Sequence, residues 1–385
     1  MAKIAVIHED LESMGGAQSV FFHTIAALQD PHDVVTVTAT PWDIDEAERH
    51  LGIELNSVSQ RRPTIPLVEW DRLYDYLSKC TSGRLGVFDT LRFGLFQWLA
   101  ARSCDDPDLF VHTHGESAYG SPSIQYIHHP ILLQFPGETG GTPDNRFLQM
   151  IERIASPVTR PEDFPDDSVL LANSRYIAGE CERVYGVSPD VLPPPVNTAD
   201  LPSDSPVNNR DAVIMVGRLS PRKTQDVGID IVEKVRNRGH DIELTIVGSS
   251  YDDDYTAEIE SRVSDFEWAS YLGRVPRERL ADLLTTHRYG LHACRLEHFG
   301  IAVAEMVAAG CLPLVPNSGG QVEIVNERPE LLWETPDEAA RKLSALHSDT
   351  SKREQLRADL PDIEDQYGVR RFRAEILQRM RTISD

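Results

Sequence analysis

The 385-residue sequence predicts an α/β protein made of two doubly wound, parallel-sheet domains. Three observations carry this reading. Short apolar runs alternate with helical patterns from residue 3 to about 192, a second series of the same kind runs from 212 to 315, and the proline-rich stretch Pro193–Pro206 interrupts them. Strands that alternate with helices pair in parallel, because a crossover helix returns the chain to the same edge. The chain therefore divides into domains at 1–200 and 207–360, followed by a C-terminal helix, 361–385, able to cross back to the first domain.

In order, Lys3–His8 reads as a strand, and Gly15-Gly16-Ala17-Gln18 opens a helix to about Leu28. Val34–Ala39, Leu109–His112, Ser123–His128 and Val169–Ala172 read as strands. Arg175–Tyr185 reads as a helix capped by Ser174. After the break, Ala212–Val216, Ile242–Val247, Trp268–Leu272, Tyr289–His292 and Leu312–Val315 are strand patterns. Helical patterns cover Thr224–Arg236, 277–286, 300–310 and 369–382. Gly83–Arg102 is helical in pattern and rich in aromatics, which fits core packing or a surface that meets lipid.

The bulk numbers exclude several classes. No apolar run approaches the roughly 20 residues of a membrane span, and Met1–His8 reads as a strand and not as a signal peptide. Five cysteines lie without metal or redox spacing, as expected of a reduced, cytoplasmic chain. The formal net charge is -23, with 61 acids, and only six of the 38 basic residues are lysine. Such an acidic, lysine-poor composition resembles proteins of extreme halophiles, where salt screens self-repulsion. No basic stripe is present for nucleic acid. The charge opposes docking on anionic lipid at low salt; at molar salt it is screened, which leaves peripheral membrane contact open. Nothing sets an oligomeric state.

The most informative local feature is a pair of acids, Glu297 and Glu305, eight positions apart. Residues 301–309 are apolar except for Glu305, and Ile301 and Ala308 share its helical face. A carboxylate buried there costs several kcal/mol unless something binds it. No Lys or Arg lies in that helix, so a ligand rich in hydroxyls is one solution. Gly217–Lys223 follows a strand and precedes a helix, so Arg218 and Lys223 project where a helix N-terminus favours anions; solvated loop cations are the plainer reading. Ser318-Gly319-Gly320 offers backbone N–H groups or a simple tight turn, and Gly15-Gly16 is similar but lacks the dinucleotide fingerprint. His112, His114, His128 and His129 cluster at strand ends without zinc spacing, and Pro130 turns His128 toward the ligand side. No metal site is expected.

Together these residues resemble the retaining glycosyltransferases of family 4, whose fold is GT-B: two Rossmann-like domains facing across a cleft. The family pattern Glu-x7-Glu, Gly, Pro, Gly-Gly-x-x-Glu reads here as Glu297, Glu305, Gly310, Pro313, Gly319-Gly320 and Glu323. Gly217–Lys223, Gly15–Ala17, Ala172–Tyr176 and Leu192–Asn197 match further landmarks, and residues 40–105 carry the least. Where the family shows Glu-Gly-Phe-Gly, this chain has His298. Its His-Phe-Gly-Ile, with Tyr126-Ile-His-His-Pro130, looks like the mannosyltransferases that extend dolichol-linked oligosaccharides.

The resemblance implies roles. Arg218 and Lys223 would hold the donor diphosphate, Glu305 the ribose hydroxyls, and Glu297 the donor sugar. Backbone amides around Phe299, Gly300 and Ile301 would face sugar and phosphates, and Gly15 and Gly16 would let the first loop approach them. His128 matches the family's histidine, with His129 the other register. The base would meet backbone near Gly273–Pro276. The partners implied are a nucleotide-sugar donor, GDP-mannose or a UDP-sugar, and a glycan or polyprenyl-linked acceptor. No cofactor or metal is implied: cations and helix N-termini neutralise the leaving diphosphate. A nucleotide-sugar epimerase on the same fold is an alternative that needs no acceptor. A non-catalytic glycan- or nucleotide-binding protein is another, which would bind donor without releasing diphosphate.

Overall fold

The computed structural model describes residues 1–11, 15–55, 58–63, 86–130, 164–201 and 210–384. It comprises two compact units: Met1–Pro195 with Val369–Asp385, and Val196–Gly368.

In the first unit, β1 (Lys3–His8), β2 (Asp33–Thr38), β3 (Val58–Arg61), β4 (Leu109–His112), β5 (Ser123–Ile127), β6 (Ser168–Ala172) and β7 (Asp190–Val191) form one parallel sheet, in the order β3-β2-β1-β4-β5-β6-β7. The chain runs outward from β1 to β3 and then restarts beside β1 at β4, so the switch point lies between β1 and β4. Residues 4–7 of β1 are all apolar because both faces of the strand are covered. Ile4 and Val6 point to the core shared with Phe21, Ile25, Phe372 and Ile376, on the helices Gly16–Leu28 and Val369–Ser384. Ala5 and Ile7 point to Phe96, Leu99 and Ala100 on the helix Gly86–Arg102. Period-two alternation between two apolar faces gives a run without polar gaps. On that last helix Trp98 is 37% exposed with the Arg102 guanidinium 4.2 Å from its ring centroid. From residue 92 to 102 the apolar side chains other than Trp98 are mostly core; residues 83–85 and the side chains of 86–91 lie outside the described ones.

In the second unit, β8 (Arg210–Val216), β9 (Glu243–Val247), β10 (Ala269–Tyr271), β11 (His287–Leu291), β12 (Leu312–Pro316) and β13 (Leu332–Trp333) form a second parallel sheet, ordered β10-β9-β8-β11-β12-β13. Its switch point lies between β8 and β11. Val213 and Met215 pack on one face with Leu244, Ile246 and Leu312, while Ile214 packs on the other with Leu284 and Met306. The architecture is thus the predicted pair of parallel, doubly wound sheets. Boundaries shift by a residue or two: the strand expected at Ser123–His128 ends at Ile127, and the one expected at Tyr289–His292 is His287–Leu291. Among the described residues, no helix is long and apolar enough to cross a membrane.

Candidate functional site

The loop after β8 and the loop after β11 leave the C-terminal ends of neighbouring strands, where doubly wound sheets bind ligands. The first is built tightly. Gly217 N–H bonds the Val247 carbonyl at 3.0 Å, and a Cβ on Gly248 would overlap the Gly217 carbonyl oxygen. Thr224 then opens the helix Gln225–Arg236 from the left-handed region, φ 49°, without a side-chain cap. A non-glycine residue held there costs of order 1 kcal/mol or more and persists only where its surroundings impose it. Arg218 is exposed, with its guanidinium 4.9 Å from the Tyr251 ring centroid.

Lys223 points to the second loop and forms an ion pair with Glu297 Oε2. His292 Nε2 lies 2.8 Å from the same oxygen and, facing a carboxylate, donates to it. Burial pushes the Glu297 carboxyl up, but Lys223 and His292 outweigh it and hold the group well below the usual carboxylate range. His292, Cys294 and Glu297 are the one group among the described residues close enough to share a metal ion. The Lys223 ammonium already occupies that carboxylate, which suits a charge network better than a cation site.

The Gly319-Gly320 turn fixes this loop. Gly320 N–H donates to the Glu297 carbonyl at 2.8 Å, and Cβ atoms on Gly319 and Gly320 would overlap the Glu297 and His298 carbonyl oxygens. Gln321 Nε2 donates to the Cys294 carbonyl at 2.8 Å. The Gly320 amide therefore serves the Glu297 loop, where the sequence pointed to a phosphate or a simple turn. Phe299 is buried edge-on against Tyr367, with ring centroids 5.3 Å apart. Gly300, at φ 105°, starts the helix Ile301–Ala308 without a side-chain cap. Among the described residues, the N–H groups of Phe299, Gly300 and Ile301 have no acceptor. Donors of this kind at a helix start can be met by water, an anion or a polar ligand.

Glu305 lies on the half-buried face of this helix with Ile301 and Ala308, while Val303, Ala304, Met306 and Val307 are buried. Its partner is Arg277, at the start of the helix Arg277–Thr286. Expecting a hydroxyl-rich ligand because the helix holds no cation thus meets a correction: another helix supplies one. Burial pushes the Glu305 carboxyl up and Arg277 pulls it down, leaving it above its ordinary range.

In the first unit, Gly15 precedes the helix Gly16–Leu28 in an extended conformation, φ -130°, and its N–H bonds Gln18 Oε1 at 3.1 Å. The glycine leaves room for Gln18 Oε1, which would lie 3.2 Å from a Cβ there, and takes no unusual backbone angle. His128 follows β5 and is half-buried; its Nε2 donates to the Thr113 carbonyl at 2.9 Å, which leaves Nδ1 without a proton. Burial lowers the His112, His114 and His128 rings to about 4, so all three are neutral at pH 7. His112 is spent on Gln97 and His114 stacks on His8. Gly15, Gly16 and His128 thus belong to one unit, and Arg218, Lys223, Glu297, Phe299, Gly300, Ile301 and Glu305 to the other.

Sequence reasoning missed His292 and Arg277. His292 ends a strand pattern five residues before Glu297, a usable signal. Arg277 is one exposed-looking arginine among many.

Residues 199–359 match the family model described as Glycosyl transferases group 1. The chain is 26% identical over 204 residues to the GDP-Man:Man(3)GlcNAc(2)-PP-Dol alpha-1,2-mannosyltransferase of Candida glabrata, covering 48% of this chain and 38% of that protein. It is 30% identical over 151 residues to the phosphatidylinositol N-acetylglucosaminyltransferase GPI3 subunit of Saccharomyces cerevisiae, covering 36% of this chain and 33% of that one. It therefore spans well under half the length of these curated relatives. Among solved structures it resembles Anabaena HepE in complex with UDP and glucose, with TM-score 0.68 and 14% identity over 99% of this chain and 100% of that one. It also resembles WaaG, a glycosyltransferase involved in lipopolysaccharide biosynthesis, with TM-score 0.66 and 13% identity over 97% and 98%. The two parallel-sheet domains have the GT-B fold.

Proposed function

We propose that this chain is a retaining, metal-independent hexosyltransferase of family 4 that moves a hexose from a nucleotide-sugar to a lipid-linked glycan. GDP-mannose is the first donor to test, because the Candida glabrata relative is named for it. The observation that carries the reading is the second unit's switch point. There a lysine–glutamate–histidine network lies beside three N–H groups that have no acceptor among the described residues, at the start of an uncapped helix.

The roles follow from charge. Departure of a nucleoside diphosphate builds negative charge, which Lys223, Arg218 and the helix N-termini before Gln225 and Ile301 neutralise. Lys223 waits on Glu297 and is shared with the diphosphate once donor binds. Glu297, held ionised, accepts from donor-sugar hydroxyls; Glu305 accepts from the ribose diol. In front-face transfer the C1–oxygen bond to the diphosphate breaks, the acceptor oxygen bonds C1 on the same face, and its proton passes to the departing phosphate oxygen. No protein nucleophile is consumed. Gly15, Gly16 and His128 belong to the acceptor side of this reading, with the unprotonated Nδ1 of His128 as an acceptor for a sugar hydroxyl.

A panel of GDP- and UDP-sugars, scored by diphosphate release at molar KCl with and without lipid-linked oligosaccharide, tests the proposal. Acceptor-dependent release from a GDP- or UDP-hexose is expected. Conversion of the donor without acceptor, or binding without release, would replace it with the epimerase or the binding-protein reading.

A further inference from the structure

Arg277 reaches three groups at once. Its Nη1 donates to Glu305 Oε1. Its Nε and Nη2 fork onto Asp200, 2.6 Å from Oδ2 and 2.9 Å from Oδ1, and Nη2 also donates to the Asn197 carbonyl at 3.1 Å. A planar guanidinium held on two edges has one orientation. Asp200 therefore aims the third edge at Glu305. Among the described residues Glu305 Oε2 has no protein partner. An ion pair of this kind is by itself a weak source of stability. Buried ion pairs are often replaceable by apolar side chains without loss, because desolvation cancels the attraction. Arg277 also directly follows Gly273–Pro276, the stretch where the resemblance places the base.

We propose that Arg277 is the positioning residue of the nucleotide-ribose subsite: anchored by Asp200, it orients Glu305 and keeps its carboxylate an acceptor for a vicinal diol. This rests on the ribose role given to Glu305 above. A neutral carboxyl would turn one acceptor into a donor and lose the matched pair of contacts. Burial already pushes the Glu305 carboxyl above its ordinary range with Arg277 in place, so without the guanidinium it rises further. Asp200, the other charge acting on Glu305, pushes it the same way. Glu323 on the helix Gln321–Ile324, and Glu364 and Asp365 on the helix Ile363–Tyr367, are acids and cannot replace the lost cation. β12 carries no titratable side chain.

The test is the dissociation constant of GDP and of UDP, by calorimetry at a series of pH values from about 5.5 to about 8.5, on the side toward which burial shifts a carboxyl. The proteins are wild type, Arg277→Gln, Arg277→Lys, Glu305→Ala, and Arg277→Gln with Glu305→Ala. Arg277→Gln is expected to weaken binding roughly 10- to 100-fold at neutral pH, the size of a lost charge-assisted contact. Measured against wild type at each pH, which carries the ionisation of the nucleotide's own terminal phosphate, the loss should shrink as pH rises and Glu305 ionises. Arg277→Lys should recover part of the loss, and in the Glu305→Ala background Arg277→Gln should cost nothing more. An unchanged constant, or the same loss with and without Glu305, overturns the inference. If Glu305→Ala itself binds both nucleotides normally, the ribose reading falls; if it binds weakly while Arg277→Gln binds normally, only the Arg277 inference falls. Should Arg277→Gln fail to fold, Asp200→Asn keeps the cation and removes its anchor: weaker binding that vanishes in Glu305→Ala supports the inference, and unchanged binding overturns it.

Discussion

Lys223, Glu297 and His292 show how one side chain's chemistry is set by two others. Glu297 is mostly buried yet ionised, because an ammonium and an imidazole N–H share its Oε2. Lys223→Ala removes the cation expected at the leaving group and strands a buried carboxylate. It should lower kcat/KM by about 100-fold or more, the size of losing one preorganised stabiliser, and lower the melting temperature while the fold is kept, because only His292 then partners the carboxylate. Rates near wild type in the donor assay would remove Lys223 from the site. Glu297 also predicts a pH result. Its folded pKa is depressed, so its contribution is present above the ordinary carboxylate range and fades only as pH falls through the depressed value. Activity between about pH 5 and about pH 8 should therefore show no limb that disappears in Glu297→Gln, because the group stays charged throughout. The proposed neutralisation by Lys223 further predicts unchanged turnover after chelation with EDTA. Buried histidines give the same sign of linkage from a different cause, because burial favours their neutral form. His112 is fully buried and lowered to about 4 by burial, so unfolding lets it take up a proton at mild acid. Its folded pKa lies below its unfolded one, so the stabilisation is complete above about pH 6.5 and is lost down to about pH 4, amounting to a few kcal/mol. The fall in melting temperature across this interval should be smaller in His112→Gln than in wild type, and an equal fall would contradict this role for His112.

Loops and strands were unequally legible. β1 and β8 were readable because apolar runs bounded by turn residues suit a strand covered on both faces. The helix around Glu305 was readable from its composition, and the loop Gly217–Lys223 from its place between strand and helix. What Gly319 and Gly320 do was not readable, since either a turn or an anion cradle needs the same two glycines. In the fold they let the β12 loop press against the backbone of Glu297 and His298. Gly320→Ala must move that backbone, and overpacking of this kind costs about 1–3 kcal/mol. It should reduce turnover at least tenfold while the circular dichroism spectrum stays native; full activity would mean the loop yields freely.

Across the whole molecule the dominant quantity is charge. A net charge of -23 on 385 residues repels itself, and the Debye length shrinks from about 10 Å at 0.1 M salt to about 3 Å at 1 M. The melting temperature should rise steadily from about 0.1 M to about 2 M KCl, and more than in an equal osmolarity of sucrose, which is excluded from the surface but screens nothing. Equal effects of salt and sucrose would show that self-repulsion is not limiting. The sequence by itself determined the two parallel-sheet domains, the break between them and the residues around Glu297 and Glu305, because periodicity, turn chemistry and buried charge are local properties written in neighbouring positions. Only the tertiary structure decided who neutralises those acids. Lys223 lies 74 positions from Glu297 and Arg277 lies 28 from Glu305. Such pairings depend on which strand ends become neighbours when the sheet closes, and no local pattern along the chain records that distance.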